Sequence, residues 1–495
     1  MPPTDKPSLK IRTARTLKWN VIDRVATQVL YAVTGIVLAR ELSQEDFGLV
    51  GAILVFESFA SLLVDSGFSS ALIQRKNPTQ TDYSTVMWFN LGVAGLLYTI
   101  LFLCAPAIAA FFQHDTRLIS LSRVMFLTLI LNAAASVPTY RLIKNMEVKM
   151  VAVANSLALT LAGITGIWLA VAGFGAWAIV WQGVVLSTVK PLVLWTSQRW
   201  RPSAVFSWKA LRSFLHVGVN MTFTSFLNTL FLNIYSLFIG RLSGMKQLGY
   251  YTQSDKWSKM GVMSLYQTLT SSFLPALSAV QDDRERFARA AAKMNRFTSY
   301  LVFPLLLGLA LMARPIFHIL FGTKWDPSII LFQLLLMRGI FTIFTGLYNN
   351  ILLSLGHART IMWMEVVKDS VAIAALVATL PFITMSTADA PVLGLTIMLY
   401  GQLLAAAVAW LITLGQVGRL TGLGMMSWIR QMLPYAALST IIVLALWYAG
   451  QWIDNDAVTL AVQAVGGIVI YAGAGYVTGS VIQRDVLGFI FRRKI

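Results

Sequence analysis

The sequence has little charge and few residues able to ligate metals or act as nucleophiles. Only 12% of its 495 residues are charged, and it contains one cysteine, Cys104, and four histidines. A single cysteine excludes an internal disulfide, so we expect Cys104 to be a small buried packing residue. The histidines lack metal-ligand spacing, and no G-x-x-x-x-G-K-[ST] phosphate loop is present. We therefore expect no metal site, no cofactor and no ATP hydrolysis by that route.

Apolar residues dominate the chain. They make up 57% of it, and the mean hydropathy is +0.69. Most stretches of about 20 residues between charge clusters are long and apolar enough to cross a bilayer as helices, and no alternating pattern typical of a barrel occurs. The sequence predicts an all-α polytopic membrane protein with about fourteen transmembrane helices. The predicted spans are 20–39, 47–72, 83–112, 118–140, 150–172, 174–198, 214–240, 248–275, 296–321, 328–355, 360–383, 391–415, 432–451 and 458–482.

A self-match at an offset of about 200 residues organises these spans into two cycles. Arg40 and Gly48 recur as Arg241 and Gly249 with the same separation, each pair at the end of an apolar run. Six spans per repeat is an even number, so the two lobes should be related by a pseudo-two-fold axis along the membrane normal. The predicted organisation is a basic N-terminus (1–19), an N-lobe (20–198), an amphipathic linker (199–213), a C-lobe (214–415), two C-terminal helices (416–482) and a basic tail (483–495).

The net charge of +18 reflects the distribution of cations among loops. Lysine and arginine are concentrated before the first span, after each even-numbered span and at the C-terminus, whereas the intervening loops hold few cations. This alternation is the positive-inside rule, and it predicts that both termini are cytoplasmic. The basic balance is therefore explained by topology and by attraction to anionic lipids, with no nucleic-acid partner.

Ionisable residues inside the spans are the candidates for function. Each costs roughly 2.5–3.5 kcal/mol at a helix centre and should face a cavity or a partner. Glu57, Ser61 and Asp65 recur every four residues in the second span and lie on one helix face. This polar stripe predicts a water-filled interior surface, and the alternative is an interhelical hydrogen-bonding seam.

Further intramembrane charges follow in the second cycle. The eighth span carries Asp255, Lys256 and Lys259, and Arg338 lies deep in the tenth. The eleventh span carries a one-face cluster of Glu365, Lys368 and Asp369, which could pair internally. As candidates for binding a coupling ion, H⁺ or Na⁺, we select the carboxylates Glu57, Asp65, Asp255 and Asp369.

Several segments together resemble a known family, in an order and spacing that cover most of residues 15–360. They are 67–76, 173–178, 200–202 with 206–208, 238–241, 273–278 and 303–308. The sequence resembles the bacterial polysaccharide exporters, the O-antigen and colanic-acid (Wzx-type) flippases of the multidrug/oligosaccharidyl-lipid/polysaccharide exporter superfamily. Related sequences often carry an acidic residue in span seven where this chain has Tyr235, so the resemblance places no carboxylate there.

The resemblance implies a flippase that moves an undecaprenyl-diphosphate-linked oligosaccharide across the bacterial inner membrane by alternating access, for surface polysaccharide biosynthesis. Intramembrane cations suit a diphosphate headgroup, because Arg binds phosphate bidentately and Lys as a point charge. The candidate headgroup residues are Lys256, Lys259 and Arg338, expected to face a central cleft between the lobes. The candidate sugar contacts are Asn220, Asn228, Asn233, Tyr235 and Tyr251.

Two other functional classes remain open. A cation-coupled multidrug antiporter of the same superfamily would favour an acidic, aromatic cavity. A membrane enzyme of glycan assembly would normally need a long exterior catalytic loop, and no exterior loop exceeds roughly fifteen residues, so we do not expect an enzyme. Membrane lipids are expected partners, together with the polysaccharide polymerase and assembly proteins.

Overall fold

The fold is described from a computed structural model. It describes residues 9–65, 68, 72–73, 75–198, 200–387, 390–479 and 482–485; within its helices the side chains of 9–15, 17, 215–224 and 227–228 are not described. Much of the family motif at 67–76, the first eight residues of the basic N-terminus and most of the tail at 483–495 lie outside the described residues.

The described chain is helical almost throughout. Short 3₁₀ turns at Thr323–Trp325 and Leu380–Phe382 interrupt the helices. In chain order the α-helices are α1 (Leu9–Glu41), α2 (Gln44–Asp65), α3 (Gln80–Phe111), α4 (Arg117–Met125), α5 (Leu127–Lys144), α6 (Val148–Val171), α7 (Trp177–Ser197), α8 (Trp208–Leu242), α9 (Met245–Ser278), α10 (Arg284–Leu311), α11 (Ala313–Leu320), α12 (Asp326–Ser354), α13 (Ala358–Thr379), α14 (Leu393–Thr421), α15 (Met425–Gly450) and α16 (Asp456–Val477).

The predicted all-α polytopic fold is confirmed, whereas the count of fourteen spans is not. Within the described residues, 11 helical segments are long and apolar enough to cross a membrane. The predicted spans seven, eight and eleven coincide with α8, α9 and α13, which are not among them. In α9 and α13 the charged clusters reduce the apolar character, and for α8 only Thr229–Leu242 is recognised as a shorter apolar helix. The charges that mark candidate sites are thus the reason that two of the predicted spans are not among these 11 segments.

Two predicted spans contain breaks that the hydropathy pattern does not show. The fourth span is divided at Phe126 into α4 and α5, and the ninth at Met312 into α10 and α11. In the second case the break lies three residues before Pro315, which has no N–H to donate to the carbonyl of Leu311.

Side-chain caps fix several helix starts. Thr79 and Asp82 form a capping box at the start of α3, with the Thr79 hydroxyl accepting from the Asp82 N–H at 3.2 Å. Asp283 caps α10 by accepting from the N–H groups of Glu285 and Arg286. Acidic residues at the start of α10 and basic residues after them suit the helix dipole. The helix continues unbroken into the predicted ninth span.

Residues 1–249 form the first compact unit. Within it α1 packs on α6, α6 on α7, and α2 against α3, α5 and α8. An aromatic cluster closes one end, where the buried Phe68, Trp200 and Phe214 contact the start of α3. Helix α8 begins at Trp208, so the predicted linker 199–213 joins an irregular stretch to the first turns of that helix.

Residues 250–495 form the second compact unit. Here α12 packs on α14, α10 on α12 and α15, and α16 on α15 and α11. Trp428 and Tyr348 are fully buried, with ring centroids 5.8 Å apart. His318 of α11 lies between the carboxylates of Asp326 and Asp456, 2.9 Å from each, and so connects α11 to the first residues of α12 and α16. Since ionised carboxylates only accept, both ring nitrogens must donate for the two bonds to form together.

Large apolar side chains also cover the outside of both units. Leu103 is 70% exposed and Val477 84% exposed, as expected where hydrocarbon replaces water as the solvent. Cys104 is exposed beside Leu103 on α3. The expectation of a buried thiol is therefore wrong, because in a membrane helix apolar residues face outward as well as inward.

Helix boundaries recur with the spacing of the sequence repeat. Arg40 and Arg241 each lie in the last turn of a helix. Gly48 and Gly249 each lie in the first turn or so of the next. A Cβ on Gly48 would lie 1.8 Å from the carbonyl oxygen of Met245, and a Cβ on Gly249 would lie 1.8 Å from that of Gln44. In the repeat, Gly48 corresponds to Gly249 and Gln44 corresponds to Met245. Each glycine therefore contacts the counterpart of the residue that the other glycine contacts. Superposition of the two complete lobes stays a prediction.

Candidate functional site

The two carboxylates on α2 bond to one neighbouring segment of the first unit. The Thr128 hydroxyl, at the start of α5, donates to Glu57 Oε1 at 2.6 Å, and the Tyr140 hydroxyl, three turns further along α5, donates to Asp65 Oδ1 at 2.7 Å. Ser61, the third member of the stripe, is exposed. The two hydrogen bonds agree with the alternative of an interhelical seam. The water-filled surface stays a prediction.

Glu57 retains one unused acceptor. Its Oε2 is buried and accepts no hydrogen bond from the described residues. A buried carboxylate oxygen without a donor is costly, whereas a proton or a cation at that oxygen removes the cost. Among the candidate coupling residues, Asp255 Oδ1 is likewise buried without a donor. Asp255, however, is paired with Lys259 through its other oxygen, whereas no ion pair to Glu57 occurs among the described residues.

The predicted sugar contacts of α8 and α9 differ in their hydrogen bonding and in their exposure. Asn233 donates to Ser58 Oγ of α2 at 3.2 Å and to the Thr229 carbonyl at 2.8 Å. Tyr235 is 7% exposed and Tyr251 2% exposed, so in this conformation neither ring is open to a saccharide. The side chains of Asn220 and Asn228 lie outside the described residues. The sugar-binding role of all five stays a prediction.

Helix α9 carries one lysine that forms an ion pair and one that does not. Lys259 Nζ lies 2.6 Å from Asp255 Oδ2, an ion pair within one turn of the helix. Lys256 is exposed, lies 5.5 Å from the Trp257 ring centroid and has no carboxylate within 4.0 Å among the described residues. Lys256 therefore keeps a charge available for an anion, whereas the charge of Lys259 is neutralised.

Arg338 on α12, like Lys256, has no carboxylate within 4.0 Å among the described residues. One of its guanidinium nitrogens donates to Gln402 Oε1 of α14, which is itself buried. This bond orients the guanidinium without neutralising it, since a neutral amide oxygen supplies no charge. No described hydrogen bond or ion pair links Arg338 to Lys256 or Lys259.

The cluster on α13 is paired internally. Lys368 contacts Glu365 and lies 3.9 Å from Asp369. The amide of Asn349 on α12 reaches Glu365 Oε1 at 3.4 Å. Asp369 is the member least engaged by the lysine, and it remains the coupling candidate of this group.

A close seam within the second unit holds α9 against α12. The Ser254 hydroxyl donates to the Ser328 carbonyl at 2.8 Å. Further along, a Cβ on Gly339 would lie 2.4 Å from Val262, and one on Gly346 would lie 2.1 Å from the Tyr266 ring. Small residues permit this approach, as is usual between membrane helices. The seam fixes the positions from which the cations of α9 project.

Sequence reasoning missed the partners that position these groups. Thr128, Tyr140 and Gln402 supply the bonds to Glu57, Asp65 and Arg338 respectively. Hydroxyl and amide residues are common in membrane helices, so the residue type alone does not indicate which of them bonds to a charged group. Only their place opposite a charge on another helix gives them a role.

Comparison with known proteins identifies the family of this chain. Residues 37–330, more than half of it, match the family model described as polysaccharide biosynthesis protein. The chain belongs to this polysaccharide biosynthesis protein family. The resemblance seen in the sequence is thereby confirmed.

Curated relatives and solved structures extend the comparison. The succinoglycan biosynthesis transport protein ExoT of Rhizobium meliloti is 24% identical over 99% of this chain and 98% of its own length. The lipopolysaccharide biosynthesis protein WzxC of Escherichia coli is 27% identical over 67% of this chain and 68% of its own length. Among solved structures, the lipid II flippase MurJ in an inward closed conformation has a TM-score of 0.70 at 15% identity, covering 94% of this chain and all of that one.

An inward-facing multidrug resistance MATE family transporter of the MOP superfamily is also similar. Its TM-score is 0.60 at 17% identity, over 81% of this chain and 99% of that one. These two structural likenesses show the fold alone. They show that the fold of this chain is similar to the folds of these two proteins.

Proposed function

We propose that this protein is a flippase for lipid-linked oligosaccharides, carried on undecaprenyl diphosphate, which it moves across the bacterial inner membrane by alternating access. Family membership and the names of relatives such as ExoT and WzxC support this proposal. Both termini would lie in the cytoplasm, as the distribution of lysine and arginine predicts. The translocated unit would pass to a polymerase on the outer face for surface polysaccharide assembly.

The observation that carries the proposal is the presence of un-neutralised cations on membrane helices. Lys256 and Arg338 have no carboxylate partner in the described chain, and a cation in such a position is expensive unless water or an anion compensates it. A diphosphate headgroup is such an anion. Arg338 would bind it bidentately and Lys256 as a point charge, while Lys259 would contribute after release from Asp255.

Translocation needs an energy source, and the carboxylates supply candidate sites for it. We assign the uptake of H⁺ or Na⁺ to Glu57 in the first place, because its Oε2 has no donor and, unlike Asp255, it has no ion pair among the described residues. Asp65, Asp255 and Asp369 are the further candidates. The Asp255–Lys259 pair would couple ion binding to headgroup binding, since an ion at Asp255 would release the lysine.

The test is complementation of a gene deletion. Deletion should abolish the surface polysaccharide and cause the lipid-linked oligosaccharide to accumulate. Variants Lys256→Gln and Arg338→Gln should restore export only weakly at normal protein level. Lys209→Gln, which removes an exposed cation of the predicted linker, is the matched control and should export normally. Normal export by both intramembrane variants would refute the headgroup assignment.

A drug antiporter is the second candidate, since a multidrug resistance transporter shares the fold. It predicts that deletion lowers the resistance of cells to cationic drugs and leaves the polysaccharide intact. The flippase proposal predicts the reverse. The same deletion strain therefore separates the two functions.

A further inference from the structure

A polar groove lies in the first unit, and its lining includes none of the candidate charged residues of the membrane helices. Its volume is about 670 Å³, and its walls come from the start of α2, the turn between α3 and α4, and the start of α9. Its lining residues are Glu45, 112–117 and 244–247. This volume is in the range of small-molecule binding sites. The loop at 113–117 has few cations and is predicted by the positive-inside pattern to face outward.

The walls of the groove are cross-linked without any ligand. Arg241 donates to the carbonyls of Ala110, at 3.2 Å, and Phe111, at 2.5 Å. In return the Gln113 amide donates to the Arg241 carbonyl at 3.2 Å. These bonds attach the end of α8 to the end of α3, so the groove is held in shape before a ligand arrives.

Backbone strain accompanies this arrangement. Gln113 and His114 are consecutive and have φ of 57° and 61°, a left-handed conformation that costs energy for residues other than glycine. Strain of this kind persists where the surroundings hold it in place. Here it turns the two polar side chains into the lining of the groove.

The groove offers hydrogen-bond donors rather than free negative charge. Both of its carboxylates are engaged by Arg117, which reaches Asp115 at 2.8 Å and Glu45 at 3.3 Å. In contrast, His114 and Lys246 are exposed and have no hydrogen-bond partner among the described side chains. The amide of Gln247 and the hydroxyl of Thr116 complete the polar lining.

We infer that this groove binds the saccharide part of the substrate at the outer face, an inference that rests on the proposed function. A saccharide presents many hydroxyl groups, which need fixed donors and acceptors of mixed type. The imidazole, ammonium, amide and hydroxyl groups of the lining supply them. Apolar ligands have little to contact, because the one aromatic side chain of the lining, Phe112, is fully buried. The groove would retain the glycan after its headgroup has crossed.

Protection of a cysteine from labelling tests the inference. In a Cys104→Ser background, Lys246→Cys places one thiol in the groove of the full-length protein. Intact cells are treated with a membrane-impermeant maleimide. One strain accumulates the lipid-linked oligosaccharide because it lacks the polymerase, and the other lacks the transferase that adds the first sugar. Labelling should be about threefold slower in the accumulating strain if the groove is two-thirds occupied. Asp454→Cys, on an exposed loop of the second unit, should react equally in both.

Three results would overturn the inference. Equal labelling rates in the two strains would show that no glycan occupies the groove. Slow labelling in both would show that the groove is blocked without a sugar. Reaction only after permeabilisation would place it on the cytoplasmic side. If Lys246→Cys prevents export, Gln247→Cys is used instead. Failure of the proposed function is a separate outcome, seen when the gene deletion leaves the polysaccharide unchanged.

Discussion

The reciprocal glycine contacts at the starts of α2 and α9 make a sharp prediction. A Cβ on Gly48 would lie 1.8 Å from the Met245 carbonyl oxygen, whereas close C···O contacts are about 3.3 Å, so the helices would need to separate by about 1.5 Å. The obstacle is backbone and cannot rotate away. Gly48→Ala should therefore destabilise the protein by about 1–3 kcal/mol. Gly249→Ala should do the same, because it meets the Gln44 carbonyl at the same distance.

Matched controls exist on α3. A Cβ on Gly92 or on Gly95 would meet nothing within 4 Å, so Gly92→Ala and Gly95→Ala should be neutral or stabilising by up to about 1 kcal/mol from helix propensity. The assay is thermal unfolding of the four purified variants in one detergent, with export measured alongside. If Gly48→Ala and Gly249→Ala unfold at the same temperature as the two controls, the close backbone contact is refuted.

Three further predictions concern single side chains. Thr128→Val removes the donor to Glu57 and should destabilise the protein by about 1–3 kcal/mol in chemical unfolding; an unchanged midpoint would contradict the bond. His318→Gln removes the bridge between two carboxylates at helix starts, and amide hydrogen exchange in the first turn of α16 should become faster; unchanged exchange would show that the bridge has no role. The Arg117 guanidinium donates to Asp115 and holds the pKa of that carboxyl below its usual range. A depressed folded-state pKa contributes stability above the unfolded pKa, about 3.9, that is lost as pH falls through the folded value. The stability difference between wild type and Asp115→Asn should thus stay constant from pH 7 to pH 5 and shrink in stronger acid; a difference that changes between pH 7 and pH 5 would contradict this.

The helical architecture could be predicted because one physical constraint governs it. Backbone groups in hydrocarbon must bond within their own segment, so apolar length predicts a helix. That rule predicted the helices α9 and α13 even though their charged clusters lower the mean hydropathy. It could not locate the breaks at Phe126 and Met312, since a break changes hydrogen bonding without changing mean hydropathy.

The candidate site could be predicted only in part. Spacing of four residues placed Glu57 and Asp65 on one face of α2, which depends on that helix alone. Their donors Thr128 and Tyr140 come from residues about 70 positions away, a distance at which local periodicity carries no information. The neutralisation of Lys259 by Asp255 was open to prediction, because residues four apart on a helix face each other.

The polar groove lined by Glu45, 112–117 and 244–247 could not be predicted from the sequence. Its two residues with left-handed backbone, Gln113 and His114, are not glycines, so the sequence does not indicate that conformation. A short polar loop between two predicted membrane spans is also typical of a simple connection. Only the bonds from Arg241 to the end of α3 show that the loop is held in shape. The conformation of this loop depends on contacts with residues distant in the sequence, and local sequence patterns do not predict such contacts.

Leaflet accessibility of the substrate tests the central claim most directly. Right-side-out spheroplasts from wild-type and deletion strains, both lacking the polymerase, are labelled with a membrane-impermeant reagent for sugars, and the lipid-linked oligosaccharide is extracted and quantified. We expect it to be labelled in the wild type and protected in the deletion strain, with Lys256→Gln and Arg338→Gln close to the deletion. Equal labelling of the lipid-linked oligosaccharide with and without this protein would contradict the account.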